Sequence, residues 1–117
     1  MKAKVIKVNE DEIFFDNGFI LTSEHEQDCC ESYYLSFHDI TIKDFEGLEF
    51  DLTEDNFFER IPDYGIALLP LNGFPVRIPG YGRNNGYYSS NMDLVLYSAD
   101  RKYTRTFNII ECQVITD

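Results

Sequence analysis

Hydrophobic and polar positions alternate along several stretches of this chain with a period of two residues. Residues 33–38, 92–97 and 106–115 follow this pattern. A period of two places successive side chains on opposite faces of an extended strand. In the last stretch Cys112 falls on the hydrophobic face, which predicts a small buried side chain there. The pattern therefore predicts a protein built mainly from β-strands.

Two Asn-Gly pairs separate hydrophobic runs and predict hairpin turns. These pairs are Asn17-Gly18 and Asn72-Gly73. Asn-Gly readily supplies the two positive φ angles that a type I′ turn requires. Pro75 and Pro79 follow the second pair and lack the amide proton that a ladder hydrogen bond needs, so this strand is predicted to be irregular or to lie at an edge.

Helix signals are weak and are confined to residues 53–60, where Thr53 is a suitable N-cap and Pro62 follows as a stop. The predicted fold class is mainly β (a β-rich α+β fold), with about six to eight strands in an antiparallel sheet closed as a barrel or a sandwich. We expect at most one or two short helical turns. The length of 117 residues, 44% of them hydrophobic, predicts a single domain over residues 1–117.

The charge of the chain is strongly negative and unevenly placed. The net charge is −11, and residues 1–60 hold 16 of the 21 acidic residues but 5 of the 10 basic residues. Binding to nucleic-acid phosphates needs the opposite sign, so we expect no direct nucleic-acid binding. The acidic half is either a solvated surface or a face for a basic protein partner, in the second case by imitation of nucleic acid.

The N-terminal sequence and the cysteine count indicate the cellular compartment in which the protein works. Charged residues recur through residues 1–7, and no apolar run in the chain suits a signal peptide or a bilayer span. We therefore expect a cytoplasmic protein with no membrane association. Three cysteines, two of them adjacent, do not form a disulfide framework, which agrees with a reducing compartment.

Residues 25–31 concentrate more reactive and metal-binding groups than any other segment. The candidate functional residues in it are His25, Gln27, Asp28, Cys29, Cys30 and Glu31. One interpretation is structural, because such polar side chains cap turns between strands while the two cysteines fill packing positions on either side of a sheet.

Metal binding is a second interpretation of this segment. Imidazole and thiolate groups of His25, Cys29 and Cys30 are ligands that zinc prefers. Adjacent cysteines point to opposite sides of an extended chain, and there is no Cys-x-x-Cys pair, so the three share an ion only if the segment folds back. The leading expectation is therefore no metal and no cofactor.

A cysteine nucleophile activated by His25 or His38 is a third interpretation. Acidic residues surround the cysteines, and negative charge raises the pKa of a thiol and makes its thiolate scarce. The sequence therefore favours a non-enzymatic protein, and no catalytic residue is assigned.

A glycine-rich and tyrosine-rich loop occupies residues 79–90 and ends in a second candidate patch. The residues of this patch are Asn85, Gly86, Tyr87, Tyr88 and Ser89. The loop lacks the Gly-Lys-Ser/Thr ending of a phosphate-binding loop, and a strand pattern rather than a helix pattern follows it. Tyrosine on adaptable backbone suits contact with a ligand or a protein.

The motifs His25-x-Gln27-Asp28-Cys29-Cys30-Glu31 and Asn85-Gly86-Tyr87-Tyr88-Ser89 together resemble those of a family of small uncharacterised proteins from bacteriophages and bacterial genomes. The resemblance covers residues 13–96, and it implies a context but no reaction, because the family has no assigned activity. It also implies that the two motifs lie side by side in the fold.

The sequence therefore predicts a small non-enzymatic binding or accessory protein of phage or mobile-element type, whose protein partner is unknown; a basic protein is one option. The alternatives are a metal-binding protein or cysteine enzyme centred on His25, Cys29 and Cys30, and an acidic inhibitor that imitates nucleic acid. The Pro-bearing strand and the loop tyrosines permit a homodimer without requiring one.

Overall fold

The computed structural model describes residues 2–24, 32–37, 40–53, 56–84, 92–109 and 113–116, which form twelve β-strands and one short 3₁₀ helix. The strands are β1 (Lys2–Ala3), β2 (Val5–Val8), β3 (Glu12–Phe15), β4 (Phe19–Glu24), β5 (Ser32–Leu35), β6 (Phe50–Asp51), β7 (Phe58–Ile61), β8 (Gly65–Leu68), β9 (Val76–Asn84), β10 (Met92–Ser98), β11 (Thr104–Ile109) and β12 (Gln113–Thr116). The 3₁₀ helix spans Ile42–Phe45. The predicted mainly β fold is confirmed.

The strands form two five-stranded sheets and one small ribbon. Sheet I has the strand order β11-β10-β4-β3-β2 and is antiparallel throughout. Sheet II has the order β12-β9-β8-β7, and β5 also pairs with β9. All pairs of sheet II are antiparallel apart from the parallel pair β9–β12. The ribbon joins β1 to β6.

One hydrophobic core is shared by the two sheets. Its fully buried members from sheet I include Ile13, Leu21, Leu94 and Leu96, and those from sheet II include Ile66, Leu68 and Ile78. Of the two predicted arrangements, a barrel or a sandwich, the barrel is not observed, because the described strands form separate sheets that do not close on themselves. Two separate sheets bury their apolar positions against a common core without closing into one cylinder.

The first hairpin is confirmed, but its turn is not of type I′. Residues 16–18 connect β3 to β4, and the amide of Gly18 donates a hydrogen bond to the carbonyl of Phe15 at 3.2 Å. Gly18 has a φ of 87°, whereas the described non-glycine residues with positive φ are Asp63 and Arg101, not Asn17. A three-residue loop needs only one positive φ, at its last position, and glycine supplies it.

The strand after the second hairpin, predicted to be irregular or to lie at an edge, has several strand partners only in its second half. The predicted edge position is therefore wrong for that half, whereas among the described strands residues 76–79 pair with β8 alone. The first half of β9 pairs with β8, and its second half pairs with β5 and β12. Pro79 lies where the partners change: its carbonyl accepts a hydrogen bond from Ser36 at 2.8 Å, and the next amide, of Gly80, donates to Tyr64 at 2.7 Å. The missing amide proton of Pro79 is therefore tolerated inside the sheet.

The helix predicted over residues 53–60 is also wrong, because Phe58–Ile61 is strand β7 paired with β8. Phe57 and Phe58 are both buried, and this tertiary burial outweighs the weak helix propensity of so short a segment. The 3₁₀ helix lies instead at Ile42–Phe45, where the Asp44 carboxylate accepts a hydrogen bond from the Thr41 amide at 2.7 Å. Within the described ranges, no helix is long and apolar enough to cross a membrane.

Candidate functional site

The candidate residues predicted from the sequence lie outside the described residues. They are His25, Gln27, Asp28, Cys29, Cys30 and Glu31 in the first motif and Asn85, Gly86, Tyr87, Tyr88 and Ser89 in the second. His38 and Cys112, which entered the metal and thiol alternatives, also lie outside them. The functional role of both motifs therefore stays a prediction.

The strand ends that flank the two motifs are neighbours in the described structure. The first motif lies between β4 and β5, and the second lies between β9 and β10. Glu24 pairs with Asp93 across the β4–β10 ladder, and Ser32 pairs with Arg83 across the β5–β9 ladder. Directly opposed residues in antiparallel strands have Cα atoms about 4.5–5.5 Å apart. The described residues that flank the two motifs are therefore paired with each other, and the adjacency of the motifs themselves stays a prediction.

The described part of the chain holds no cluster of three or more His, Cys, Asp or Glu side chains suited to a metal ion. The metal and thiol alternatives depend on His25, Cys29 and Cys30, so they stay hypotheses. Tyr97 is the described ionisable side chain with the largest resolved change in acidity. Burial, followed by the hydrogen bond from its hydroxyl to Glu12 at 2.6 Å, raises the pKa of Tyr97 to about 12. Its hydroxyl is a structural donor at neutral pH.

A groove lies beside the second hairpin in the described residues. We call it the hairpin groove, and it has a volume of about 520 Å³. Its lining residues are Ile40, Asp44, Glu46, Leu48, Phe74, Pro75, Val76 and Arg77. Apolar side chains form much of this lining, while Asp44, Glu46 and Arg77 supply charge. Such a mixture is typical of surfaces that recognise a partner by shape and by charge.

The loop that carries Phe74 is fixed by hydrogen bonds to a neighbouring segment. The Asn72 side chain accepts a hydrogen bond from the Glu49 amide and donates one to the Gly47 carbonyl, both at 2.9 Å. The Leu71 amide donates to the Glu49 carbonyl at 2.7 Å. Gly73 packs so closely on Leu48 that a Cβ atom there would overlap the Leu48 side chain. The loop therefore has little freedom to turn Phe74 inward.

Phe74 is the most exposed large hydrophobic residue in the described structure, with 90% of its surface accessible to solvent. Leu71, on the same loop, is 57% exposed. A large aromatic side chain on a fixed loop binds a partner with a small loss of conformational entropy, as binding hot spots do. The sequence pattern does not single out Phe74, because the hydrophobic run after Asn72-Gly73 predicts a strand that begins at Phe74. The signal was its position between Gly73 and Pro75, because two strand breakers rarely flank a core residue.

Comparison with known proteins identifies the family. Residues 1–94 match the family described as "Domain of unknown function (DUF7448)", and this match covers most of the chain, so the chain belongs to that family. No curated protein and no solved structure matches the chain. The family match agrees with the predicted resemblance to an uncharacterised family.

Proposed function

Starting from membership of a family of unknown function, we propose that this chain is a non-enzymatic binding or accessory domain and that its contact surface is the hairpin groove. The observation that carries the proposal is Phe74, which is 90% exposed on a loop fixed by Asn72. An isolated exposed aromatic residue is ordinary on a protein surface. An aromatic residue that is fixed, exposed and placed beside a groove of about 520 Å³ is a suitable anchor for a partner.

The partner is a basic protein segment with one large apolar side chain. That side chain fills the groove between Phe74 and Leu48, and Lys or Arg beside it meets the carboxylates of Asp44 and Glu46. Residues 1–60 carry the whole net charge of −11, which steers a basic partner towards this part of the chain.

The wider setting of the proposal is the cytoplasm of a bacterium, in a protein of phage or mobile-element type. The motif resemblance supports the phage setting, and the chain's cysteine pattern supports a reducing compartment.

Peptide selection tests this function for a partner that is defined only by its chemistry. A library of displayed peptides is selected on the wild-type protein alone, and the affinity of the enriched peptides for the wild-type protein and for each variant is measured by fluorescence polarisation. We expect the peptides to combine a large apolar residue with Lys or Arg. Phe74→Ala should weaken their binding at least about tenfold, or about 1.4 kcal/mol.

Ile6→Ala is the matched control, because Ile6 is 61% exposed but does not line the groove. It should leave peptide binding unchanged. Added salt should weaken binding, since the charges at the rim are solvent-exposed. Peptides that bind the wild-type protein and the Phe74→Ala variant equally well would contradict the proposal. The acidic-inhibitor hypothesis predicts the same salt dependence without a requirement for Phe74, so this variant separates the two.

A further inference from the structure

A second groove lies beside the 3₁₀ helix and differs in charge from the first. We call it the lysine groove, and it has a volume of about 460 Å³. Its lining residues are Lys4, Val5, Ile42, Lys43, Phe45, Glu46 and Gly47. Glu46 lines both grooves, but Phe74 lines only the hairpin groove. The two surfaces can therefore be altered independently.

The floor of the lysine groove is apolar and its geometry is fixed. Val5 on β2 and Phe45 on the 3₁₀ helix are buried core residues, whereas Ile42 is 43% exposed and forms a wall. The backbone beside the groove is clamped, because the Lys4 amide donates to the Asp16 carboxylate at 3.0 Å and the Asp16 amide donates to the Lys4 carbonyl at 2.8 Å. A preformed apolar floor of this volume is typical of a small-molecule site.

Two lysines accompany this floor in a strongly acidic chain. Lys4 and Lys43 are both exposed, and within the part of the chain that the structure describes their ammonium groups form no ion pair. By contrast, the ammonium nitrogen of Lys2 lies 3.7 Å from a carboxylate oxygen of Glu49 and forms an ion pair with it. The lining of the lysine groove carries two ammonium groups against one carboxylate, that of Glu46, which makes it a locally positive area in a sequence with 21 acidic residues. This area offers charge to an anion from outside the chain.

We propose that the lysine groove binds a small amphipathic carboxylic acid. The aliphatic or aromatic body of this ligand lies on Val5, Ile42 and Phe45, and its carboxylate lies between the ammonium groups of Lys4 and Lys43. The net charge of −11 repels simple anions from the molecule as a whole, so the apolar body is required for binding. A ligand of this groove therefore needs both an apolar body and a carboxylate.

Octanoate and octan-1-ol form a matched pair of probes, because they share a chain length and differ in charge. Binding to the full chain is measured by amide NMR shifts and by isothermal titration calorimetry. We expect octanoate to shift the amides of residues 42–47 and of Val5. The double variant Lys4→Gln/Lys43→Gln should weaken octanoate binding at least about tenfold and leave octan-1-ol binding unchanged. Ile42→Ser should weaken both.

Lys102→Gln removes one positive charge from an exposed lysine on the turn before β11, outside both grooves, and should leave octanoate binding unchanged. Phe74→Ala should also leave it unchanged, so failure of this site is distinct from failure of the proposed function. All these substitutions are at exposed positions, and circular dichroism checks the fold of each variant.

Two results would overturn the proposal. One is octanoate binding outside the lysine groove, seen as binding that the double lysine variant leaves intact and as amide shifts that centre on Phe74. The other is sedimentation of the wild-type protein with phosphatidylglycerol vesicles through the same lysines, which would assign the groove to a lipid surface instead of a free acid.

Discussion

Gly65 allows strands β8 and β9 to approach more closely than any side chain would permit. Its φ is 149°, and a Cβ atom at this position would lie 2.5 Å from both the Gly80 amide nitrogen and the Ile78 carbonyl oxygen. Both neighbours are backbone atoms, which cannot rotate away. By contrast, Gly18 has a φ of 87° but has open space around the position of a Cβ atom. Gly65 is therefore needed both for space and for its backbone conformation, whereas Gly18 is needed for its backbone conformation alone.

Gly65→Ala should lower the free energy of unfolding by about 2–4 kcal/mol, since it combines backbone strain with overpacking. Gly18→Ala should cost about 1–2 kcal/mol, from the positive φ alone. Urea denaturation of the two variants and the wild-type protein measures both values. Equal losses would mean that β9 moves aside at little cost and that the close approach is not a constraint.

Tyr97 links the stability of sheet I to alkaline pH. Its ring is buried, its hydroxyl donates to Glu12 at 2.6 Å, and the Arg101 guanidinium lies 4.2 Å from the ring centroid. Burial raises the pKa of Tyr97 from 10.0 to about 12, and the Glu12 carboxylate acts in the same direction. Because the pKa is higher in the folded than in the unfolded protein, the stabilisation is complete below pH 10 and is lost as the pH rises through 12.

The wild-type protein should therefore lose its stability advantage over Tyr97→Phe between pH 10 and about 12. The measurement is the free energy of unfolding of both proteins at several pH values across this range. Ultraviolet titration of the folded proteins should show a tyrosine ionisation near pH 12 in the wild-type protein that is absent from Tyr97→Phe. A stability difference that does not change with pH would contradict the raised pKa.

The positions of hairpins and strands in this chain can be predicted from short-range sequence pattern, whereas the pairing of the strands cannot. The alternation in residues 92–97 predicts β10, but it does not reveal that β10 lies between β4 and β11. The alternation also does not reveal that Val95 and Tyr97, on the face opposite Leu94 and Leu96, are buried as well. Pairing between segments so far apart depends on the whole sheet, and the sequence pattern of one strand carries no information about it.

The hairpin groove could be predicted from the sequence only in part, for a similar reason. The exposure of Phe74 depends on Asn72, whose side chain bonds with residues 47 and 49, distant in sequence. An Asn-Gly pair indicates a turn, but the partner of the asparagine side chain is set by tertiary structure. The lysine groove likewise joins β2 to the 3₁₀ helix, and neither segment alone indicates a site.

Asn72→Ala tests whether these two side-chain hydrogen bonds hold the loop. Their loss should lower the free energy of unfolding by about 1–3 kcal/mol and increase hydrogen exchange at the amides of Glu49 and Leu71. Native-state hydrogen exchange measures these amides directly. Asn9→Ala is the matched control, because the Asn9 side chain accepts bonds from the Asp11 and Glu12 amides in a local turn. Unchanged protection of Leu71 in Asn72→Ala would show that packing on Leu48, not Asn72, fixes the loop.

The two sheets depend on each other because one core serves both. The family match ends at residue 94, inside strand β10, which spans Met92–Ser98. The remaining residues include half of β10, all of β11 and the fully buried side chains of Leu96 and Ile109. The matched region is therefore smaller than the unit that folds.

A truncated chain of residues 1–94 should fail to fold cooperatively, because it loses β11 and the part of β10 after Leu94, which pairs with residues 19–22 of β4. Thermal and urea unfolding, followed by circular dichroism, compare it with the full chain under the same conditions. A cooperative transition in the truncated chain would mean that β11 and the second half of β10 are dispensable additions.

The position of β10 also has a consequence for synthesis. Strands β2, β3 and β4 leave the ribosome early as a meander, but β4 gains its second neighbour only after residues 92–98 have been made. Until then the edge of β4 and the apolar side chain of Leu21 lack their covering strand. Folding of sheet I is thus completed only after β10 has been made, and until then the nascent chain exposes an unpaired edge of β4 to chaperones.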